Sequence, residues 1–339
     1  MELFYDKNKK YEDSFRRLWK TCFHDPQAYE DFYFQSTYSR NQVLAAAEDG
    51  AVRGMIHLNP YLLKVGEVKR KLHYIVGVAT DPKFRRQGIM REMLTKVMKD
   101  MADAGEVFTY LMPADVSYYE PFNFVKVSGF EEVEIHGEEG ESHIQPLMFK
   151  DYVKATKFAN DYYESRYKVY TMATQDVLFF MRWEALSENG KLLCLKHGDE
   201  IAGLAVYGIA DDTVYVRQIL GDRDEMIGEL KAYFGNRRML VTLPNDEKDD
   251  SQIMMRMLRL DLYVAQCKAK RDFDFTIFIK DDYLENQNGY FRIFAKDGYG
   301  CIERVEEPEE PVDTFTITEV TKLILRDTDM LPWMIGEIV

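Results

Sequence analysis

A short basic segment between residues 85 and 91 carries the residue types that could bind an anion. It reads Arg85-Arg86-Gln87-Gly88-Ile89-Met90-Arg91. If a helix begins here, its first turn presents unpaired backbone N–H groups and a partial positive charge to a ligand. Glycine at position 88 lets a ligand approach the backbone, and the arginines add charge-assisted hydrogen bonds to phosphates. Taken alone, such a segment is more often only a solvated helix start.

A strand and a helix are predicted on either side of this segment. Residues 72–82 form an almost uninterrupted apolar run that ends at a proline, as a buried strand would. After the segment, apolar side chains recur at helical spacing and form one face: Ile89, Met90, Met93, Leu94, Val97, Met98 and Met101. Gly105 stands where it would end that helix. The basic segment is therefore predicted to occupy a strand-to-helix turn.

The chain around this turn predicts further helices and strands. Residues 11–38 predict two helices that are separated at Asp25-Pro26, because the residue before a proline disfavours the helical conformation. Residues 44–58 predict a hairpin with a turn at Glu48-Asp49-Gly50, and residues 108–114 predict another strand. The mixture of elements is typical of the α/β class.

A weak internal repeat follows the polar, glycine-containing break at residues 136–146. The predicted elements after the break are a helix, a hairpin, a strand and a second helix, over residues 148–166, 191–209, 214–220 and 222–235. Gly203 stands where the first copy has Gly54, but the second copy has no counterpart of Arg85-Arg86-Gln87-Gly88. The repeat therefore predicts a similar fold without the same anion-binding chemistry.

The last region predicts a smaller unit. The run MMRMLRL, residues 254–260, predicts a short helix, and the segments DFTIFIKD and GYFRIFAK predict two strands with a turn at Asn286–Gly289. A closing helix is predicted near residues 316–326.

Composition excludes several classes of protein. The net charge of −14 and the pI near 5.0 disfavour a nucleic-acid binder, which needs a basic surface, and favour a cationic partner. Such acidity also serves solubility alone. No cysteine pair has zinc or disulfide spacing, and His24, His57 and His73 show no ligand or triad spacing, so no metal is predicted. No signal-peptide profile and no membrane-spanning apolar run are present, which predicts a cytoplasmic protein that does not bind a membrane.

The strand-to-helix turn resembles the signature of the Gcn5-related N-acetyltransferase (GNAT) family. That signature is Gln or Arg, two residues, Gly, one residue, then Gly or Ala; Arg85 and Gly88 match it, while Met90 replaces the usual small residue. The resemblance implies acetyl-CoA as co-substrate. It implies backbone contacts of Val78, Ala79 and Thr80 with the pantetheine arm, and pyrophosphate contacts from Arg85, Arg86, Gln87, Gly88, Ile89, Met90 and Arg91. Ala114 and Asp115 would face the cofactor near the thioester.

Tyr119 is the catalytic residue that the resemblance implies. The segment Tyr119-Glu120-Pro121-Phe122-Asn123-Phe124 resembles the part of these enzymes in which a tyrosine lies beside the departing thiolate. A phenol with a pKa of about 10 stays protonated at neutral pH and can donate its proton to the sulfur. Alternatively, Tyr118 and Tyr119 are core or rim aromatic residues in a chain with 22 tyrosines.

The whole chain resembles the Eis-type acetyltransferases, the enhanced intracellular survival group. Their organisation implies an α/β (α+β) protein with a catalytic GNAT domain over 1–140, a degenerate second copy over 141–248 and a sterol-carrier-protein-like domain over 249–339. The resemblance also implies a homo-oligomer, a hexamer in that group. Its specific residues lie mainly in 76–91, 111–124 and at the GEIV end.

The same resemblance implies how an acceptor would bind and react. The carboxylate of Val339 would take the proton of a cationic amine, such as an aminoglycoside, a polyamine or a lysine side chain. Asp25, Phe34 and Glu337 would line the acceptor pocket. The amine would attack acetyl-CoA directly in a ternary complex. A CoA-binding regulator without turnover and a carrier of an apolar ligand remain the alternatives.

Overall fold

The computed structural model describes residues 1–245, 253–269, 271–327 and 332–333. The described chain groups into two compact units. Unit 1 takes its residues from Met1–His24, Tyr38–Ser128 and Gln252–Trp333, and unit 2 from Asp25–Thr37 and Gly129–Ser251. Each unit therefore draws on separate stretches of the sequence.

The described residues form a mixture of strands and helices. The strands are β1 (Glu2–Tyr5), β2 (Gln42–Glu48), β3 (Ala51–Val65), β4 (Val68–Thr80), β5 (Phe108–Leu111), β6 (Val125–His136), β7 (Gln145–Pro146), β8 (Val169–Thr171), β9 (Lys191–His197), β10 (Glu200–Ala210), β11 (Thr213–Leu220), β12 (Arg238–Asn245), β13 (Ile253–Met257), β14 (Asp274–Lys280), β15 (Gly289–Lys296), β16 (Tyr299–Arg304), β17 (Thr314–Thr316) and β18 (Pro332–Trp333). The α-helices are α1 (Glu12–Cys22), α2 (Gln27–Gln35), α3 (Ile89–Asp103), α4 (Tyr152–Glu164), α5 (Gln175–Ser187), α6 (Arg223–Phe234), α7 (Leu260–Val264) and α8 (Ile317–Asp327). None of these described helices is long and apolar enough to cross a membrane.

A mixed sheet forms the centre of unit 1. Its strand order is β1-β2-β3-β4-β5-β13-β6, where β6 contributes its residues 125–128. Strands β1 to β4 are antiparallel neighbours, whereas β4 and β5 are parallel and are connected through α3. The apolar face of α3 packs on this sheet through Met93, Leu94, Val97 and Met98, which are fully buried. The helical stripe predicted after the basic segment is therefore confirmed as a core face.

The helix predicted over residues 254–260 is wrong, because this part of the chain contains strand β13. Strand β13 lies between β5 and β6 and pairs antiparallel with both. All five of its residues are buried, including Arg256, whose guanidinium pairs with the buried carboxylate of Asp281. A mostly apolar run without strict alternation does not distinguish a strand buried on both faces from a helix.

The residues after β13 add a second, four-stranded sheet to unit 1, with the order β16-β15-β14-β17. Strands β14 and β15 and helix α8 confirm the two strands and the closing helix predicted for this region. The turn expected at Asn286–Gly289 is a short 3-10 turn over Glu285–Gln287, followed by the start of β15.

Unit 2 repeats the order of elements found in unit 1. Its sheet has the order β6-β12-β11-β10-β9-β7, with residues 129–136 of β6, and β11 and β12 are parallel and connected through α6. A Cβ atom on Gly54 of β3 would lie 2.8 Å from the methyl group of Met93, and one on Gly203 of β10 would lie 2.1 Å from the sulfur of Met226. Both copies thus need a glycine where a methionine of the crossover helix packs on the sheet, and the predicted repeat is confirmed.

A buried histidine lies under helix α1 in unit 1. The side chain of His57 on β3 is inaccessible to solvent and has the rings of Phe15, Trp19 and Tyr38 around it, with centroids 5.4–5.9 Å away. The amide nitrogen of Asn41 lies 3.3 Å from its Nδ1 atom. Burial, with a smaller contribution from the charge of Lys9, lowers the pKa of His57 to about 3. The imidazole is therefore neutral at physiological pH.

We predict that His57 makes unit 1 sensitive to mild acid. Its folded pKa lies below the ordinary value of about 6.5, so the unfolded chain binds the extra proton and stability falls as the pH decreases from about 6.5 toward 3. The loss is roughly 1.4 kcal/mol per pH unit in that range. Thermal unfolding at pH 7.5 and 5.5 should therefore show a smaller acid shift in His57→Gln than in the wild type. His24→Gln, which changes an exposed histidine, serves as the control; equal acid shifts in all three proteins would contradict the prediction.

Candidate functional site

Strands β4 and β5 diverge after a single register pair. Over their described residues these parallel strands share one register pair, Tyr74 with Tyr110. The hydroxyl group of Tyr74 accepts a hydrogen bond of 3.2 Å from the backbone N–H of Met112, just after β5 ends. Beyond Tyr74, strand β4 still pairs with β3 on one side but no longer pairs with β5 on the other. One edge of β4, which includes the predicted residues Val78, Ala79 and Thr80, is therefore available to an extended ligand.

A β-bulge in β4 shapes this edge. The register with β3 passes from His57↔Val76 to Met55↔Ala79, so Gly77 and Val78 together lie opposite Ile56. Gly77 has a φ of +59°, and a Cβ atom there would lie 2.6 Å from the ring of Trp19. Sequence analysis did not identify Gly77 as part of the site. A glycine inside an apolar strand pattern is the signal that indicates such a bulge.

The predicted anion-binding turn is present where β4 leads into α3. Arg86 and Gly88 both have left-handed backbone conformations, with φ of +61° and +86°. Gly88 is the N-cap of α3, and no side chain of the described chain caps the helix there. A Cβ atom on Gly88 would meet no described atom within 4 Å, so the glycine is required by its backbone conformation. Residues 85–88 are exposed, and the first N–H groups of an α-helix have no partner within the helix, so the start of α3 could accept an anion.

Side-chain contacts hold this turn in place. The carboxylate of Asp81 accepts a 3.0 Å hydrogen bond from the N–H of Lys83, and the N–H of Asp81 donates to the carbonyl of Arg53. The Nε atom of Arg85 donates to the carbonyl of Thr80 at 3.2 Å, and its Nη2 atom lies 3.7 Å from Sγ of Cys22. Arg85 therefore stabilises the end of β4 in this conformation, whereas Arg86 and Arg91 are exposed on the turn and the first turn of α3.

Tyr119 and its neighbours follow β5. Ala114 and Asp115 are exposed, and the Asp115 carboxylate accepts a hydrogen bond from the N–H of Ser117. Hydrogen bonding by the side chain of Ser117, and then by its N–H, lowers the pKa of that carboxyl group. Tyr119 is only 8% exposed and packs edge-on to Phe124 within the apolar core beneath α3, whereas Tyr118 is 58% exposed. Burial raises the pKa of Tyr119 above its usual value. Its phenol therefore stays protonated well above neutral pH.

The second copy has lost the features that suit an anion. The N-cap of α6 is Asp222, whose carboxylate accepts a 3.0 Å hydrogen bond from the N–H of Glu225, and Asp224 and Glu225 add negative charge in the first turn. The bulge in β11 contains Arg217, which is paired with Glu184 and Glu188. A carboxylate thus occupies the helix end at which the first copy presents free backbone N–H groups. This is the physical reason why the repeat lacks the chemistry of residues 85–88.

The predicted acceptor residues lie in different parts of the chain. Asp25 is half-buried just before α2, and Phe34 is buried in that helix with its ring against Tyr33; both belong to unit 2. Glu337 and Val339 lie outside the described residues. Among the residues that the structure describes, no group of three or more His, Cys, Asp or Glu side chains could hold a metal ion.

Comparison with known proteins defines the class. Residues 6–127 match the family model described as an acetyltransferase (GNAT) domain. This segment contains β4, the basic turn, α3, β5 and Tyr119, so the geometry above is that of a GNAT acetyltransferase domain, the class of enzyme that uses acetyl-CoA. The chain therefore contains an acetyltransferase (GNAT) domain. No curated protein sequence matches it.

Solved structures share the fold over nearly the whole chain at 14% sequence identity. A protein of unknown function from Enterococcus faecalis V583, described as a probable N-acyltransferase, has a TM-score of 0.78 and covers 96% of this chain and 89% of its own. A GCN5-related N-acetyltransferase from Kribbella flavida has a TM-score of 0.76 and covers 99% and 100%. Eis1 from Mycobacterium abscessus has a TM-score of 0.70 and covers 96% and 90%. The expected fold class, tandem GNAT folds with an added α+β region, is confirmed.

We predict that Gly77→Ala is much more destabilising than Gly50→Ala. Both glycines have positive φ, +59° and +75°, but a Cβ atom on Gly50 would meet no described atom within 4 Å. Gly50→Ala, the control, should therefore lose only the backbone contribution of about 1 kcal/mol of folding stability. The clash with Trp19 should raise the loss in Gly77→Ala to about 3 kcal/mol. Thermal unfolding of the two variants beside the wild type measures the difference. Equal losses of stability would show that the ring of Trp19 does not constrain the bulge.

Proposed function

We propose that this protein is an acetyl-CoA-dependent N-acetyltransferase that acetylates a primary amine of a cationic acceptor. The observation that carries the proposal is the turn between β4 and α3. Two left-handed residues, Arg86 and Gly88, and an uncapped helix start lie beside the strand edge that β5 leaves open. A CoA molecule has a matching pair of features, because its amide-containing pantetheine arm can pair with a strand edge and its pyrophosphate suits a helix N-terminus.

Different segments of the chain would bind different parts of CoA. Val78, Ala79 and Thr80 on β4 would pair with the pantetheine arm, and residues 85–91 would hold the pyrophosphate. The exposed Ala114 and Asp115 would lie near the thioester. Because backbone N–H groups fixed by a sheet need no reorganisation when negative charge develops on the carbonyl oxygen, positioning and electrostatic stabilisation would supply most of the rate.

Proton transfers complete the proposed reaction. The acceptor amine forms a bond to the acetyl carbon in a ternary complex, and the carbon–sulfur bond breaks. Tyr119 donates its phenolic proton to the sulfur, as the family resemblance implies; burial raises its pKa, so the phenol holds its proton at neutral pH. The proton acceptor for the amine is the carboxylate of Val339, as the resemblance to Eis-type enzymes implies.

The acceptor class rests on charge. The chain carries 58 acidic against 44 basic side chains, and such an excess attracts cations such as aminoglycosides, polyamines or lysine side chains. The resemblance to Eis-type enzymes agrees, and it assigns Asp25, Phe34 and Glu337 to the acceptor pocket. The neighbour from Mycobacterium abscessus supports the comparison at the level of the fold.

The organisation of the whole protein is part of the same proposal. The division into catalytic, degenerate and sterol-carrier-like domains at 1–140, 141–248 and 249–339 remains a prediction, as do a cytoplasmic location and a homo-oligomer. An exposed aromatic cluster of unit 2 supports self-association: Phe149, Phe179 and Trp183 are 37–58% exposed, with ring centroids of neighbours about 6 Å apart. Clusters of this kind commonly mark protein interfaces.

The structure favours this function over a carrier of apolar ligands. A carrier would need an apolar cavity in the last region of the chain. A cavity of about 430 Å³ there has charged and amide side chains in its wall, including Arg259, Asp261, Gln287 and Arg304. A CoA-binding regulator without turnover is distinguished by experiment, because it would bind CoA and release no thiol with any amine.

We predict that the enzyme releases the free thiol of CoA from acetyl-CoA when cationic amines are added, and that Arg86 contributes to the binding of acetyl-CoA. Arg86→Asn removes the charge with a residue that tolerates positive φ. It should raise KM for acetyl-CoA about tenfold, as expected for one charge-assisted hydrogen bond, with kcat nearly unchanged. Arg223→Asn, at the start of α6 in the second copy, is the matched control and should behave as the wild type. If no amine in a panel of aminoglycosides, polyamines and lysine peptides releases thiol, the proposed activity is wrong.

We predict that Tyr119→Phe lowers kcat by about 10²-fold or more and leaves the affinity for CoA unchanged. The phenyl ring keeps the packing against Phe124 while the proton donor is lost. Steady-state kinetics at saturating acetyl-CoA, together with calorimetric CoA binding, separate the two effects. The exposed neighbour provides the control, since Tyr118→Phe should retain full turnover. Unchanged kcat in Tyr119→Phe would remove this residue from the mechanism.

A further inference from the structure

A tyrosine from the last region of the chain lies directly at the proposed acetyl-CoA site. Tyr283 follows β14, and its hydroxyl group donates a hydrogen bond of 2.8 Å to the carbonyl of Pro121, which is 162 residues away in the sequence. The same hydroxyl accepts a hydrogen bond of 3.3 Å from Nη1 of Arg91. One side chain therefore touches both the loop that carries Tyr119 and the first turn of α3.

Ring contacts reinforce these two hydrogen bonds. The ring of Tyr283 packs on that of Phe122, with centroids 5.4 Å apart and a tilt of 36°. The guanidinium of Arg91 lies 5.7 Å from the centroid of the same Phe122 ring. Arg91 is thus directed by a hydroxyl group and an aromatic face although its side chain is exposed. An exposed arginine without such contacts would sample many rotamers, and ordering it on ligand binding would cost entropy.

A buried ion pair fixes the backbone of Tyr283. Arg256 on β13 and Asp281 are both inaccessible to solvent, and Nη2 of Arg256 lies 2.7 Å from each carboxylate oxygen of Asp281. The carboxylate oxygen Oδ1 also accepts the N–H groups of Tyr283 and Leu284, at 3.0 and 3.1 Å. Because β13 is a central strand of the sheet in unit 1, this pair connects the position of Tyr283 to the most buried part of that sheet.

The other end of the Tyr119 loop has a similar contact. Asn123, which has a left-handed backbone with a φ of +64°, lies within 3.3 Å of the hydroxyl group of Thr318 on α8 through its side-chain oxygen. The last region of the chain therefore contacts the loop at Pro121, Phe122 and Asn123. In each of these contacts the partner, Tyr283 or Thr318, lies outside residues 6–127, the segment that matches the acetyltransferase domain model.

We infer that Tyr283 is a positioning residue of the acetyl-CoA site, which orients the Arg91 guanidinium for a phosphate of CoA and holds the Tyr119 loop beside the start of α3. The inference rests on the proposed function. It assigns the last region of the chain a role in donor binding: this region supplies the side chain that connects the phosphate end of the site to the thiol end.

A double-mutant cycle on CoA affinity tests the inference. Tyr283→Phe keeps the ring on Phe122 and removes both hydrogen bonds of the hydroxyl group. Calorimetric titration with CoA should show about fivefold weaker binding, as expected for one hydrogen bond to a charged group in an exposed setting. In an Arg91→Gln background, Tyr283→Phe should have no further effect, because its action on the ligand passes through Arg91.

Two controls separate positioning from general stability. Pantetheine, which has no phosphates, should bind wild type and Tyr283→Phe equally, whereas damage to the fold would weaken both ligands. Tyr290→Phe, on the half-buried Tyr290 of β15, removes a tyrosine hydrogen bond to Glu307 and should leave CoA binding unchanged. The inference is overturned if Tyr283→Phe binds CoA as the wild type does, or if its effect persists undiminished in Arg91→Gln. If the wild-type protein does not bind CoA, the proposed function itself fails, and the inference with it.

Discussion

The divergence of β4 from β5 is the constraint on which the site depends. Two parallel strands joined by a helix would ordinarily pair along their length, but here the pairing is limited to Tyr74 and Tyr110 in the described strands. The hydroxyl of Tyr74 binds the N–H of Met112, and the bulge at Gly77 turns the end of β4. An edge of a central strand is thereby exposed to a ligand, and the same strand leads into the N-terminus of α3. Backbone geometry, rather than an unusual side chain, creates the surface to which CoA binding is proposed.

The second copy shows what the same topology does without this specialisation. It keeps the strand order, the parallel pair β11 and β12, and the glycine under a helix methionine at Gly203 and Met226. However, its helix start is capped by the Asp222 carboxylate, and its bulge holds the paired Arg217. Both changes remove free donors, so an anion gains nothing by binding there. The fold therefore serves as a scaffold, and the function depends on a few residues at one turn.

Local features of the sequence were sufficient to predict many of the helices and strands and the basic turn. The crossover helix was predictable because its apolar residues recur at helical spacing, and the basic turn because Arg85 to Gly88 are contiguous. The prediction failed at β13. The mostly apolar run from Met254 to Leu260 fits a helix as well as it fits a strand that is buried on both faces. The sequence indicated the role of Gly77 only weakly. A side chain is excluded at this position because the ring of Trp19, on another element, occupies the space that a Cβ atom would need. The sequence did not indicate the role of Tyr283.

The sequence by itself determined most of the helices and strands, the strand-to-helix turn at residues 85–88 and the family resemblance, because all of these depend on residues close together in the chain. Tertiary structure alone decided which strands are neighbours. It inserted β13 between β5 and β6, and its buried pair of Arg256 with Asp281 set Tyr283 beside Pro121 and Arg91. Contacts across such distances follow from how buried surfaces and hydrogen bonds are satisfied together, and no local pattern of residue types encodes them.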